Sequence, residues 1–385
     1  WKAIKRYTED NAFRTVETID LRRAIETVTG RSYERFFYDW TERPGHPQLH
    51  VSHKWLNDDK LVEITVKQKQ ESDAFHFPLT LEFRFEEGAE PVSVTRDITQ
   101  KEMTFFYPLP SAPTMLRVDP DQTLLMELTE KKGHDLWKAQ LLDDPSVVAR
   151  IRAAEHFGES KSDKDRKLLA GALQSETFWA VQSAIASALS ESGGDVSRDA
   201  LIAGLTIEHH KARRACALEL ASFHQDEVAI AALRPLVMDG DASYLVEAAA
   251  IETYAKLEPA DGLEVLREAL SRDSRREVIR DAVLSGLGRM RDADVVDLLC
   301  EWTAPDKPRL ARPGAIRALA AVSRNTYLSD EVYRKIVAAL TDVLDDSGRR
   351  VRSAAVSALG SLGRPGQARS ALAALRSIES NDPHH

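Results

Sequence analysis

The chain has 385 residues, 43% hydrophobic and 29% charged, with a formal net charge of −9. That length is ordinarily shared among two or three domains, and its acidic balance does not favour a general nucleic-acid binder, which needs a basic face against phosphate. No apolar run is long enough to cross a bilayer, so no membrane span is expected.

Only two cysteines occur, Cys216 and Cys300, both inside apolar helical patterns. They are expected to be buried free thiols in a reducing compartment, which points to the cytoplasm. The chain opens on Trp1, and WKAIKRYTED already reads as the interior of an amphipathic helix. The expectation is therefore a chain that starts inside a larger protein, without a signal peptide. The closing Pro383-His384-His385, native or tag-derived, is set aside.

Residues 1–44 read as helical. Trp1, Ile4, Tyr7 and Thr8 follow helical spacing, Asp20 is expected to cap a second helix with Leu21, Ala24, Ile25 and Val28 on one face, and Gly30 to end it. A third short helix carries Phe36, Phe37 and Trp40 and stops before Pro44-Gly45. So short a piece cannot bury three apolar faces alone and needs a partner.

The period then changes to two. Leu49–Lys54, Leu61–Val66, Phe75–Phe85, Val92–Thr95, Met103–Phe106 and Met115–Val118 read as strands, separated by turn residues such as Asn57-Asp58-Asp59, Glu87-Gly88 and Asp119-Pro120. Six or seven short strands without intervening helices predict an antiparallel β-sandwich over residues 45–130, and a parallel sheet is not expected.

From 135 to the end the chain is helical and repetitive. Val351–Gly360 closely matches Val181–Ser190. A large anchor recurs at Phe157, Leu189, Leu220, Tyr254, Leu287, Leu319 and Leu359, every 31–34 residues with one longer step of 40. A small residue follows each anchor, where it lets neighbouring helices approach closely. Seven positions before the anchors stand Arg150, Gln182, Arg213, Glu247, Arg280, Arg312 and Arg352. Six positions earlier again Asp144, Glu176, Asp241, Asp306 and Asp346 recur, and Asp144-Pro145 is a helix-start signal. Each unit reads as helix A, turn, helix B, and such units bury their apolar faces only when stacked. The fold class is thus α+β multidomain and mainly α. A short helical segment and an antiparallel sandwich precede an α-solenoid of about seven helix pairs over residues 135–385.

The Val/Arg/Ala/Leu/Gly positions of this region resemble HEAT repeats in a short form, the family's usual unit being longer. The tetratricopeptide Trp-x-x-Leu-Gly and ankyrin Thr-Pro-Leu-His patterns are absent. The resemblance implies an Asp–Arg ladder between repeats, with Asp346 and Arg352 or Asp306 and Arg312 as its pairs and Gln182 and Glu247 interrupting it.

The opening region resembles a second family. Ile19-Asp20-Leu21, Val28-Thr29-Gly30-Arg31-Ser32, Phe36-Phe37-Tyr38-Asp39-Trp40 and Pro44-Gly45-His46-Pro47 are similar to the end of the catalytic domain in M1 zinc aminopeptidases. Val66–Gln70, Phe77-Pro78-Leu79 and Val118-Asp119-Pro120 agree with the sandwich that follows there. The resemblance implies that residues 1–44 end a truncated thermolysin-like catalytic domain and that a helical superhelix comes last. Zinc would then sit in an N-terminal part that this sequence lacks.

No His-Glu-x-x-His, which places two metal-binding histidines one helical turn apart, occurs here. Glu155-His156 and Glu208-His209-His210 lack its spacing, and His50 and His53 fall on opposite faces of a strand. There is no Gly-x-Ser-x-Gly and no phosphate loop; Gly286-Leu287-Gly288 lacks a third glycine and follows no strand, and neither cysteine has a neighbouring base. The reading therefore assigns no catalytic, cofactor-binding or metal-ligating residue. Lys161–Lys167 is expected to be a solvated loop, and Trp137, Phe178, Trp179, Tyr244 and Trp302 to be solenoid core. The functional expectation is the non-catalytic C-terminal portion of an M1-type aminopeptidase, inactive alone, whose parent removes N-terminal residues from peptides. The alternatives are a non-catalytic scaffold related to that family, which includes a subunit of a core-promoter-binding transcription factor, or a free-standing protein-binding module. The expected partners are the missing catalytic domain and a peptide or protein on the concave solenoid face, without nucleic acid or membrane.

Overall fold

The computed structural model describes residues 1–86 and 89–363, and the chain divides into two units, Trp1–Ala149 and Arg150–His385. The Glu87-Gly88 turn and the closing histidines lie outside the described residues.

The first unit opens with α1 (Lys2–Asp10), α2 (Thr18–Thr29) and α3 (Glu34–Phe37), the last running into a π-helical turn, Tyr38–Glu42. The cap of α2 differs from expectation. Glu17 is the N-cap, and Asp20 stands three residues inside, accepting the Glu17 N–H at 3.0 Å in a reciprocal capping box. Asp20 has the right chemistry, but the helix starts earlier because Glu17 can take the return bond. Gly30 closes α2 in the left-handed conformation, its N–H bonded to the Glu26 carbonyl. Few side chains are buried here: Ala24 in α2, Phe37 in α3 and Asp39 in the turn.

Seven strands follow: β1 (Gln48–Leu56), β2 (Leu61–Gln68), β3 (Phe77–Arg84), β4 (Val92–Ile98), β5 (Glu102–Pro108), β6 (Met115–Val118) and β7 (Glu127–Lys131). They form a four-stranded sheet in the order β5-β2-β1-β7 and a three-stranded sheet in the order β4-β3-β6. Strict alternation buries Val62, Ile64 and Val66 of β2 and Phe77, Leu79, Leu81 and Phe83 of β3 in one core. One pairing departs from expectation. β7, whose polar sequence ELTEK carries little strand signal, runs parallel to β1, with Gln48 opposite Glu127 and Ser52 opposite Lys131. All other pairs are antiparallel.

Helices then alternate as A and B members. The A helices are α4 (His134–Asp143), α6 (Asp163–Ser175), α8 (Gly194–Gly204), α10 (Glu227–Met238), α12 (Gly262–Ala269), α14 (Val296–Glu301) and α16 (Asp330–Asp342). The B helices are α5 (Val147–Gly158), α7 (Trp179–Ser192), α9 (His210–Glu219), α11 (Tyr244–Lys256), α13 (Val278–Met290), α15 (Arg312–Val322) and α17 (Arg349–Gly360). Every anchor, from Phe157 to Leu359, is buried. The small residues after the anchors matter most at Gly158 and Gly288. A Cβ at Gly158 would lie 2.9 Å from the Ala188 Cα, and one at Gly288 would lie 2.5 Å from the Ala318 Cα, so successive B helices touch backbone to backbone there. Lys161–Lys167 is not a loop. Ser162 caps α6 by accepting the Lys164 N–H, and Asp165 is buried beneath Ser160, so most of the run is the helix's opening turns.

Candidate functional site

Charged side chains do two different jobs in the repeats. Of the framework arginines seven positions before the anchors, Arg150, Arg213 and Arg312 form rungs between units, whereas Arg280 pairs with Glu277 of its own unit. Arg150 meets Glu176 at 2.7 Å and Arg213 meets Asp241 at 2.9 Å, each reaching the acid of the following unit. The same Arg213 donates to the Ile207 and Glu208 carbonyls of its own turn. These are charge-assisted, largely buried bonds. The register of the ladder corrects the expectation. Arg312 pairs with Asp346 of the next unit and not with Asp306, while Arg352 donates to the Asp346 backbone carbonyl. The within-unit pairing fails because the arginine spans the gap between stacked units. Glu247 is a rung of reversed sign, held by Arg272 at 2.8 Å, and the Gln182 side-chain amide instead donates a hydrogen bond to the Glu176 backbone carbonyl. An analogous contact occurs in the first unit, where Arg117 of β6 binds Asp144 at 3.1 Å.

The other charges line a groove of about 800 Å³ along α9, α11, α13, α15 and α17. Its wall is made by B-helix positions six and two before the anchors: Arg214 and Leu218, Glu252, Asp281, Pro313 and Arg317, Ser353 and Ser357. Residues four apart share a helical face, which is why these positions recur in the wall. Five lining residues are arginines (Arg214, Arg276, Arg317, Arg349 and Arg350) and two are acidic, Glu252 and Asp281. Asp281 is already taken by Arg317 at 2.6 Å. A groove with a cationic excess therefore exists in a chain of net charge −9. The floor is small, with Ala248, Ala249, Ala282 and Ala354 leaving room for a ligand backbone.

Several aromatic side chains expected in the core are not there. Trp137 is buried, but Phe178 and Tyr244 are exposed, and Trp179 and Trp302 are half-buried. Phe178, Trp179 and Tyr244 stand at the start of B helices, where the side chain leaves the packed face. Trp179 stacks on His209 with planes 13° apart, His209 stacks on His210, and the Lys211 ammonium lies 4.0 Å from the Trp179 ring centroid.

His50 is exposed and His53, three residues along β1, is half-buried, with burial holding its pKa below the ordinary value. Among the described residues no three His, Cys, Asp or Glu side chains are grouped to hold an ion. Cys216 is fully buried against Gly204, and burial pushes its thiol up to about 12. Cys300 is only half-buried, a departure from expectation.

Comparisons with known proteins agree with the repeat geometry. A family model described as HEAT repeats matches residues 135–221 and 230–320. No curated protein matches. Among solved structures, Legionella pneumophila aminopeptidase A, in complex with aspartic acid, is similar over 99% of this chain, with a TM-score of 0.54 and 14% identity. The alignment covers 52% of that enzyme, so this chain spans about half its length. Human deoxyhypusine hydroxylase, in complex with glycerol, is 18% identical over 60% of this chain and 85% of its own, with a TM-score of 0.29. No helix among the described residues is long and apolar enough to cross a membrane. The chain is thus a β-sandwich region followed by HEAT-like helical repeats, a combination whose fold is shared with part of an aminopeptidase.

Proposed function

We propose that this chain is the C-terminal, non-catalytic portion of an M1-type zinc aminopeptidase. Residues 1–44 would complete the catalytic domain, and the repeats would shape access for peptides. The observation that carries this is the surface of α1–α3. Trp1, Ile4, Phe13, Val16, Ile19, Val28, Phe36 and Tyr38 are all exposed. So much apolar surface on these three short helices and the residues that flank them calls for a covering body. The fold likeness to an aminopeptidase over nearly the whole chain supports the same reading. Zinc chemistry would belong to the covering domain. The test is turnover of aminoacyl-arylamide substrates with added zinc. The chain alone is expected to be inactive. The protein extended upstream is expected to be active and to lose activity on metal chelation. Turnover by the isolated chain, or an upstream frame without His-Glu-x-x-His, would overturn the proposal.

A second reading, a non-catalytic scaffold, is favoured by the cationic groove, which can hold a peptide whether or not a peptidase is attached. On both readings the groove is the surface for a peptide or protein partner.

A further inference from the structure

The framework and groove arginines differ in what they have left to bind. Arg213 and Arg312 are committed to carboxylates of the following unit. Arg214, Arg276, Arg349 and Arg350 have no ion-pair partner among the described residues. Two local features oppose their placement. Arg349 and Arg350 open α17, whose first turn holds no acid, and cations are unfavourable at the positive end of a helix. Arg276 has φ of 62°, a left-handed conformation that non-glycine residues avoid. A chain with more acids than bases could have neutralised these side chains internally. Among the described residues only Glu252 and Asp281 reach the groove, and Asp281 is occupied by Arg317.

We propose that the groove binds an extended acidic segment of polypeptide, its Asp and Glu side chains taken by Arg214, Arg276, Arg349 and Arg350. Guanidinium groups match carboxylates in a planar, two-bond geometry, so each arginine can fix one acidic side chain. The alanine floor at Ala248, Ala249 and Ala282 lets the ligand backbone lie close to the helices. Glu252 sits where it would repel a continuous phosphate chain but accept a backbone amide. Among the described residues no aromatic side chain lines the groove, so they offer no stacking platform of the kind single-stranded nucleic acid uses. The proposal rests on the peptide-binding reading of the groove and is independent of peptidase activity in any parent.

The test is fluorescence anisotropy of the full chain with a labelled Glu/Ala peptide, acetylated and amidated so that only side chains carry charge. Its Gln/Ala counterpart and a single-stranded oligonucleotide serve as competitors. The Glu peptide is expected to bind, to weaken as salt is raised, and to bind at least about tenfold more tightly than the Gln peptide. Arg349→Gln with Arg350→Gln, both exposed, is expected to weaken binding by about tenfold with unchanged thermal unfolding. Arg214→Gln provides the same test on a different helix. Arg289→Gln, outside the groove, should leave affinity unchanged. Equal binding of the Glu and Gln peptides, or groove variants that bind like the parent chain, would overturn the proposal. So would an oligonucleotide that displaces the Glu peptide at lower concentration. Because the readout is binding, failure here leaves the aminopeptidase reading standing, and an inactive full-length protein leaves this one standing.

Discussion

In the sandwich unit one buried carboxylate holds the π-helical turn in place. Asp39 is almost fully buried and holds Arg35 at 2.9 Å, Arg43 at 3.1 Å and the His76 N–H at 2.9 Å. The same arginines reach the Ala74 and Asp73 carbonyls, Arg43 lies 3.4 Å over the Phe75 ring, and Trp40 packs on Phe75 and Phe77. The π-helical turn is therefore fastened to the sandwich at one point. The repeats spread the same chemistry along successive rungs, each shared by neighbouring units. A stacked array loses one interface at a time, whereas a single fastening has no second copy. Damage at Asp39 should therefore be global for its unit, and damage in the repeats local.

The largest expected effect follows from that contrast. Asp39→Ala leaves Arg43 buried without its anion, and removing one member of a buried pair costs about 3–5 kcal/mol. Denaturant unfolding of the full chain should show the loss in the first transition, with faster proteolysis of α1–α3; an unchanged transition would show that the fastening carries no stability.

An intermediate effect compares two glycines within the repeats. Gly288→Ala places a methyl against the Ala318 backbone and should cost about 1–3 kcal/mol by overpacking. Gly171→Ala, in α6 with open space around it, should gain up to about 1 kcal/mol through helix propensity. Thermal melts of the two variants should move in opposite directions.

The smallest effect is in pH. Burial would raise the Asp346 carboxyl, but the Arg312 guanidinium and the Gly348 N–H outweigh it and hold the group below its ordinary value. A depressed carboxylate contributes stability that is fully present above the unfolded-state pKa of about 4 and is lost as pH falls through the lower folded value. Glu247 has the opposite sign, raised by burial against a weaker pull from Arg272, so its contribution increases as pH falls. Asp346→Asn should flatten the acid limb of a stability–pH profile and lower its neutral plateau, because the ionised carboxylate that stabilises there is gone and Arg312 loses its anion. A limb as steep as the parent's would mean that the rung does not titrate.

What the sequence disclosed follows the same division. The anchors from Phe157 to Leu359 are all buried because a repeat imposes one packing problem many times, and its solution recurs at fixed spacing. β7 escaped because its pairing supplies the strand, not its own polar residues. The Arg312–Asp346 rung was assigned to the wrong acid because sequence spacing does not say whether a long side chain bridges within a unit or across one. The groove was not legible as a site, since its residues occupy the positions where repeats differ. Aligning the units on their anchors and reading the positions two and six before them would have exposed Arg214 and Arg317.

The parallel pairing of β1 and β7 has a mechanical consequence. The chain enters the sandwich along β1 and leaves along β7 side by side and in the same direction, so the entry and exit points lie at opposite ends of one ladder. Tension drawn through residues 46 and 132 would load the whole row of bonds between Gln48–Ser52 and Glu127–Lys131 in shear, all at once, where a hairpin would unzip bond by bond. That five-residue ladder would have to shear before the two ends of the sandwich could be drawn apart.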